Sequence, residues 1–290
     1  MEENEWRVIM ETAEPMSLNP NYYVAMANKL IAGKSSLDAK SAKLIRTTIT
    51  QIKREDTEIR PYEISIKEFA DLIELKSTSD LYRDVKKTCE ELLKQIVVIG
   101  DRNDPKKAWK AFQWVSYCEY RDGFVYIKLN EELKPYLLGL KQYYTQYHLQ
   151  NILTMRSVYS IRIYELIMME LKNTSPKPGN PLEITIMMDV LRRATDTEKK
   201  LQKSNDFKKR VVDPAIKEIN NLYWLFKISE VRPVKRSRSI IGYTFKVESR
   251  SSELPAEKQK HIKAVLKKAK TQNNTNDIDN QIHMTFDEEE

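Results

Sequence analysis

An α+β chain made of one unit used twice is what this sequence predicts, and three observations predict it. The triplet Ile64-Ser65-Ile66 is answered by Ile184-Thr185-Ile186. Behind each triplet come a short helical run and a long lysine-rich stretch, in which Leu81, Val85, Cys89, Leu93 and Ile96 are matched by Phe207, Val211, Ala215, Ile219 and Leu222 at the same spacing. That spacing lines one face of an α-helix. Each stretch then runs into an apolar strand, Val97-Val98-Ile99 or Trp224-Leu225-Phe226.

Size and composition bound the partners. A chain of 290 residues holds two domains with a core each. Glycine occurs only 6 times, which disfavours nucleotide-cradling loops and all-β architectures. The net charge is +7, but the ends are acidic. Residues 1–16 set Arg7 against Glu2, Glu3, Glu5, Glu11 and Glu14, and residues 251–290 set six lysines against eight acidic residues. The middle of the chain is therefore more basic than the total, which suggests a polyanion, duplex DNA above all. A lysine-rich solvated surface is the competing explanation. The two cysteines, Cys89 and Cys118, read as buried thiols of a reducing cytoplasm. No apolar stretch reaches the ~18 residues of a membrane span, and the N-terminus lacks the basic and apolar regions of a signal peptide.

In chain order, residues 1–16 read as a flexible acidic arm. Helices are expected over 21–31, after Ser17 and Pro20, and over 38–52, with Asp38 as N-cap and Leu44, Ile45, Ile49 and Ile52 on one face. Pro61 ends a polar stretch. A strand over 63–66 and a short helix over 67–74 follow. The capping cluster Ser77-Thr78-Ser79-Asp80 opens the first long helix, whose Arg83, Lys86, Lys87 and Lys94 lie largely opposite its apolar stripe. Strands are expected over 96–99, 112–120 and 124–129, with Asp122-Gly123 as a hairpin turn because that turn needs positive φ. The loop 100–109 holds Arg102, Lys106 and Lys107. Two helices joined by a turn and followed by a hairpin is the order of a winged helix.

Residues 149–155 join the halves, and a helix over 158–172 is capped by Ser157. A proline-rich loop spans 174–181. The unit then repeats: strand 183–186, a short helix to Ala194, a polar loop to Ser204, and a long helix from Asn205. Its hairpin has arms over 223–231 and 240–247 and a tip over 232–239 that holds Arg232, Lys235, Arg236 and Arg238. A further helix is expected over 255–270, with Pro255 in its first turn. Residues 271–290 read as a disordered acidic tail.

The second long helix carries the most weight. Lys208, Lys209 and Arg210 stand in its first turns, where cations oppose the helix dipole. A nearby anion reverses that penalty, and helix–turn–helix geometry places this half of the helix in a major groove. Pro214 either kinks the helix or follows an Asp213 cap that starts a new one. The hairpin basics would lie on phosphates. Enzymatic patterns fail. Gly33-Lys34-Ser35 lacks the upstream glycine of a phosphate-binding loop, since position 28 is Asn. His148, His261 and His283 are far apart, and no His–apolar–His pair exists for a metal-dependent nicking centre. Asp101 and Asp104 sit in a basic loop, a poor two-metal site. No cofactor is expected.

Three stretches resemble the iteron-binding initiators of theta-replicating plasmids, of the RepA/RepE type. Ser157-Val158-Tyr159-Ser160-Ile161-Arg162-Ile163-Tyr164-Glu165-Leu166 is similar to the helix opening their second domain. Asp206-Phe207-Lys208-Lys209-Arg210-Val211-Val212-Asp213-Pro214-Ala215-Ile216-Lys217-Glu218-Ile219-Asn220 is similar to their second recognition helix, proline included. Residues 21–52 are similar to the opening helical pair of their first domain. The resemblance spans about residues 17–250. It implies two tandem winged-helix domains related by approximate twofold internal symmetry, over 17–148 (dimerisation and DNA binding) and 149–250 (main recognition). It implies a monomer that grips one origin direct repeat. A homodimer in equilibrium with it would bind an inverted repeat and repress the initiator's own gene. A host initiator and helicase would be recruited, with no catalytic residue. The DNA-contacting residues would be Asn205, Lys208, Lys209, Arg210, Lys235, Arg236 and Arg238, with Ser77, Ser79, Arg83, Lys86, Lys87, Lys106 and Lys107 in the first domain. The alternatives are a plain repressor of the same fold and a nicking or primase-type enzyme.

Overall fold

The computed structural model describes residues 18–73, 81–102, 104, 106–172, 176–177, 179–222 and 226–250, with 81–84 and 222 described by their backbone. The expected acidic arm, the capping cluster with Ser77 and Ser79, residues 223–225, the helix over 255–270 and the tail lie outside them. The described chain is α+β, with two winged-helix units that share one continuous apolar core.

The first unit opens on strand β1 (Tyr23–Ala27) and a single turn, α1 (Asn28–Ile31), where the sequence predicts one helix. The strand exists because β8 (Tyr144–His148) pairs with it antiparallel, Tyr23 opposite His148. After the two-residue β2 (Lys34–Ser35) comes α2 (Ala39–Ile49). Asp38 caps it, accepting from the Ser41 N–H at 2.7 Å. Strand β3 (Pro61–Ser65) alternates, burying Tyr62 and Ile64, and starts on Pro61 instead of being preceded by it. Ser65 caps α3 (Ile66–Leu72), and α4 (Leu81–Leu92) follows.

The predicted strand over 112–120 is two strands in two sheets. β4 (Ile96–Gly100) and β5 (Trp109–Gln113) join β2 in the order β2-β4-β5. β6 (Val115–Arg121) and β7 (Phe124–Leu129) join β3 in the order β3-β7-β6. Trp114 divides them, almost fully buried, with its indole N–H donating to Ser35 Oγ at 3.1 Å. The true hairpin of this unit is β6–β7, turning at Asp122 and Gly123 with φ of 50° and 86°, as the sequence requires. The β4–β5 hairpin is an insertion before it. A short α5 (Lys134–Leu137) leads to β8.

The connecting residues form a buried turn, α6 (Gln150–Leu153). α7 (Val158–Glu170) begins at its expected cap, Ser157, which accepts from Tyr159 N–H. β9 (Leu182–Met187) and α8 (Met188–Ala194) mirror β3 and α3. The long helix comprises α9 (Ser204–Phe207), a π-helical turn (Lys208–Val212) and α10 (Asp213–Leu222). β10 (Phe226–Arg236) and β11 (Ser239–Ser249) complete a sheet ordered β10-β11-β9. Its order repeats that of β6-β7-β3, so the duplicated sequence is a duplicated topology. Gly242 lets β11 approach β9: an added Cβ would stand 2.8 Å from Ile186 O. Among the described residues no helix is long and apolar enough to cross a membrane.

Candidate nucleic-acid interface

The helix of the second unit is fixed at one end and presented at the other. Phe207, Val211, Val212, Ala215 and Ile219 are buried. At the C-terminal end, Asn220 donates to Ile228 O and accepts from Ile228 N–H, both at 2.8 Å, which pins the helix to the base of β10. Glu218 accepts from the backbone N–H of Arg156, at 2.7 Å, and of Ser157. Its carboxylate thereby also stabilises the N-terminus of α7. The opposite face carries Lys209, Arg210, Asp213, Pro214 and Lys217, all exposed.

Pro214 neither starts a helix nor breaks one. Asp213 is helical at φ −61° and ψ −43°, so it is not a cap. Its N–H reaches five residues back to Lys208 O. A proline interrupts the α ladder because it lacks an N–H and its ring presses on the preceding turn. One wider turn is a recognised way to absorb such a disturbance. The same widening brings Lys208 Nζ onto Asp213 Oδ1. Of the three cations grouped in the sequence, Lys208 is thus compensated within the helix. Lys209 and Arg210 form no ion pair with other described residues. Asn205 is exposed on α9.

The hairpin differs from its sequence expectation. The eight-residue tip is a two-residue turn, Ser237–Arg238, with Ser237 at φ 56°. Arg236 pairs across to Ser239 and Lys235 to Ile240. Pro233 is accommodated because β10 is an edge strand. Arg232 is engaged by Glu183 and Glu230. Lys235, Arg236 and Arg238 remain exposed, without an ion pair to other described residues. Helix and hairpin meet where Tyr243 Oη donates to Ser204 O at 3.3 Å. Tyr243 is four residues from the turn side of β11, so the hairpin projects about 13 Å beyond that contact.

The first unit offers less. Lys86 and Lys87 are exposed on α4, and Lys87 lies 3.9 Å from Glu91, a solvent-screened pair of small value. The side chain of Arg83 is outside the description. The Cys89 and Cys118 thiols touch where α4 meets β6. The hydrogen bond from Cys118 leads the causes that lower Cys89, and this same contact, followed by burial, pushes Cys118 well up. Cys118 is only half-buried, a correction to the expectation of two buried thiols. At the hairpin tip Arg121 lies over the Tyr126 ring and 3.9 Å from Glu119. Lys106 and Lys107 sit on the inserted β4–β5 hairpin instead of the winged-helix hairpin, and Lys107 is 3.3 Å from Asp104 and 3.7 Å from Asp101. The structure therefore groups Asn205, Lys209, Arg210, Lys235, Arg236 and Arg238 in one unit, and leaves Lys106 and Lys107 apart from Lys86 and Lys87.

Sequence reasoning missed a buried ionic cluster where α2, β8 and α7 meet. Glu165 on α7 accepts from Arg46 on α2 (3.0 and 3.2 Å), from Arg162 (2.5 Å) and from Tyr147 Oη on β8 (2.6 Å). Burial alone would raise the Glu165 carboxyl, but the two guanidinium groups outweigh it and hold it below its ordinary range. The available signal was a charged residue on an otherwise apolar helix face. Among the described residues, no three His, Cys, Asp or Glu side chains gather to hold a metal ion.

Comparison with known proteins agrees with the duplicated architecture. Residues 23–168 match the family described as "Initiator Replication protein, WH1", and residues 187–247 match "Initiator Rep protein, WH2". A curated relative from Escherichia coli, described as "Replication initiation protein", is 25% identical over 201 residues. The match covers 68% of this chain and 61% of the relative, so the chain spans less than two thirds of that relative's length. Among solved structures, the Pi initiator protein in complex with iteron DNA superposes with a TM-score of 0.62 at 19% identity, over 80% of this chain and 98% of that one. At that identity the likeness is one of fold.

Proposed function

Since this chain belongs to the Initiator Replication protein family, in both its WH1 and WH2 parts, we propose that it initiates plasmid replication by gripping one direct repeat of duplex DNA with two winged helices at once. One observation carries the reading. Lys209 and Arg210 on the helix, and Lys235, Arg236 and Arg238 on the hairpin, are exposed cations without described ion-pair partners, on two elements that meet at Tyr243. A helix with free cations in its first turns suits the major groove, and a basic hairpin suits the phosphates beside it. Asn205, exposed on α9, would read a base edge, as a side-chain amide pairs with adenine. Lys208 joins when a phosphate replaces Asp213 as its partner. Lys86, Lys87 and Arg83, with Ser77 and Ser79, supply the second, weaker grip, and Lys106 and Lys107 are backbone contacts at most.

The domain division we propose is 17–148 and 149–250, with residues 1–16 as an arm and 251–290 as a tail. The iteron DNA bound by the Pi initiator makes short direct repeats the target class to test. Self-association through the first domain, on an inverted repeat at its own promoter, is supported by the open edge of β5 and the exposed Trp109 on it. Initiation itself is mechanical. Bound monomers favour opening of adjacent DNA and recruit a host initiator and helicase in the cytoplasm, with no catalytic step.

Footprinting of the full chain on the DNA flanking its gene tests this. The expected pattern is protection of two major-groove segments per repeat, on one face and about 10 bp apart. Protection of one segment alone rejects the two-handed grip. Nicking of supercoiled DNA in the presence of Mg²⁺ would reinstate an enzyme, and a lone palindrome as the sole target would favour a repressor.

A further inference from the structure

The two units meet along four consecutive residues of the first. Ile31 ends the single turn of α1, and Ala32 and Gly33 follow it, where helical carbonyls have no partner of their own. All three carbonyls accept from arginines, Ile31 and Gly33 from α7 and Ala32 from α8 of the second unit. Arg162 Nη2 donates to Ile31 O at 2.6 Å and to Gly33 O at 2.8 Å, and Arg193 Nε donates to Ala32 O at 3.3 Å. The next residue reverses the direction of charge: Lys34 Nζ lies 2.7 Å from Asp196 and 3.3 Å from Glu198. Arg193 also reaches Asp101 of the inserted hairpin at 3.5 Å. Gly33 fits because a Cβ there would stand 2.9 Å from Val98 O.

The second-unit side of this seam belongs to α8 and the loop that leads into the recognition helix. Arg162 Nε donates to Ala194 O, the last residue of α8. Arg192, beside Arg193, donates to the carbonyls of Lys200, Leu201 and Gln202 and lies 4.8 Å from the Phe207 ring at the start of the long helix. An unbroken set of hydrogen bonds and packed groups thus runs from residues 31–34 to the first turn of the second recognition helix.

We propose that Lys34 and Arg193 are positioning residues that set the separation and rotational phase of the two DNA-reading helices, so that the protein selects sites by the spacing between half-sites as well as by their bases. The proposal rests on the two-handed reading above. Its physics is simple. Each base pair inserted between half-sites turns one by about 34° and moves it about 3.4 Å. A seam of directed guanidinium–carbonyl bonds does not slide over such distances.

The test uses the full chain and duplexes in which the two footprinted half-sites are separated by the native gap, or by one base pair more or fewer. Wild-type protein is expected to lose about tenfold in affinity on either altered gap, the size of effect a mismatched base pair has. In the Lys34→Ala/Arg193→Ala double variant, the penalty should shrink to below about threefold, while native-gap binding weakens modestly. Lys34→Glu combined with Asp196→Lys and Glu198→Gln restores the closer ion pair with its charges exchanged, leaves no carboxylate facing the new one, and should restore the sharp preference. Denaturant unfolding shows that each variant is folded. A penalty unchanged in the double variant, or equal weakening on all three gaps, overturns the proposal. Wild-type protein indifferent to the gap overturns the two-handed reading itself, whatever the variants do.

Discussion

The hairpin of the second winged-helix unit leaves its tip cations to solvent, whereas the hairpin of the first engages its tip cation within the protein. In the second, the hairpin arms are 11 residues each and end in Arg236 and Arg238, and the helix presents Lys209 and Arg210. In the first, the arms are 7 and 6 residues, and the tip pairs Arg121 with Glu119 and Tyr126 beside Asp122. Its further cations sit on an inserted hairpin where Lys107 and Arg193 share Asp101. One scaffold thus leaves the cations of its hairpin tip exposed in one copy and engages them within the protein in the other.

The largest effect concerns the buried cluster around Glu165. Replacing Glu165 with Gln leaves Arg46 and Arg162 buried without their counter-charge, and breaking such a site costs about 3–5 kcal/mol. A single urea transition should move to lower denaturant. A second, separate transition in the wild-type protein would mean that the units are independent. The pH dependence has a fixed sign. Because the folded Glu165 carboxyl is held below its ordinary value, its contribution is complete above the unfolded value of about 4.3. It is lost as pH falls through the lower folded value. Glu165→Gln should flatten that acid limb.

Next in size is the contrast between helices. Alanine at Lys208, Lys209 and Arg210 should weaken specific binding by about 100-fold or more with folding unchanged, whereas alanine at Lys86 and Lys87 should cost less than about tenfold. Gel-shift titrations on one repeat decide it, and equal losses would erase the asymmetry. For the hairpins, removing Lys235, Arg236 and Arg238 should lower the slope of log affinity against log salt by about 0.9 per phosphate contact, whereas Arg121→Ala should leave it nearly unchanged. The smallest effect concerns the intrahelical pair. Asp213→Ala frees Lys208 and should tighten binding about two- to threefold, the scale of an exposed ion pair. Weaker binding would instead make Asp213 a direct reader of cytosine.

What the sequence disclosed follows the range of each interaction. α2, α7, β3, β9 and the Asp122-Gly123 turn rest on nearby residues: a cap, a stripe, an alternation. They stand within a few positions of expectation. β1 was hidden because its partner β8 lies more than 100 residues away, and the apolar run Val24–Met26 suits either helix or strand. The break at Trp114 depends on Ser35, 79 residues away. For the interface, the basic positions were legible but not their state. Lys208 meets Asp213 only because the helix widens there, and the repeat pattern assumes uniform α geometry. The seam at residues 31–34 leaves no periodic trace, since its acceptors are backbone carbonyls.

That wider turn has a consequence for how such a chain can vary. A π turn holds one residue more than the α turn it replaces. Losing one codon within 208–212 would therefore let the backbone close to ordinary pitch while Phe207 and Ala215 keep their seats in the interior. Within that turn Lys209 and Arg210 face outward while Val211 and Val212 are buried, so the outer positions are where length can change with least repacking of what lies beneath. Descendants could acquire new sequence preferences there by deletion as readily as by substitution.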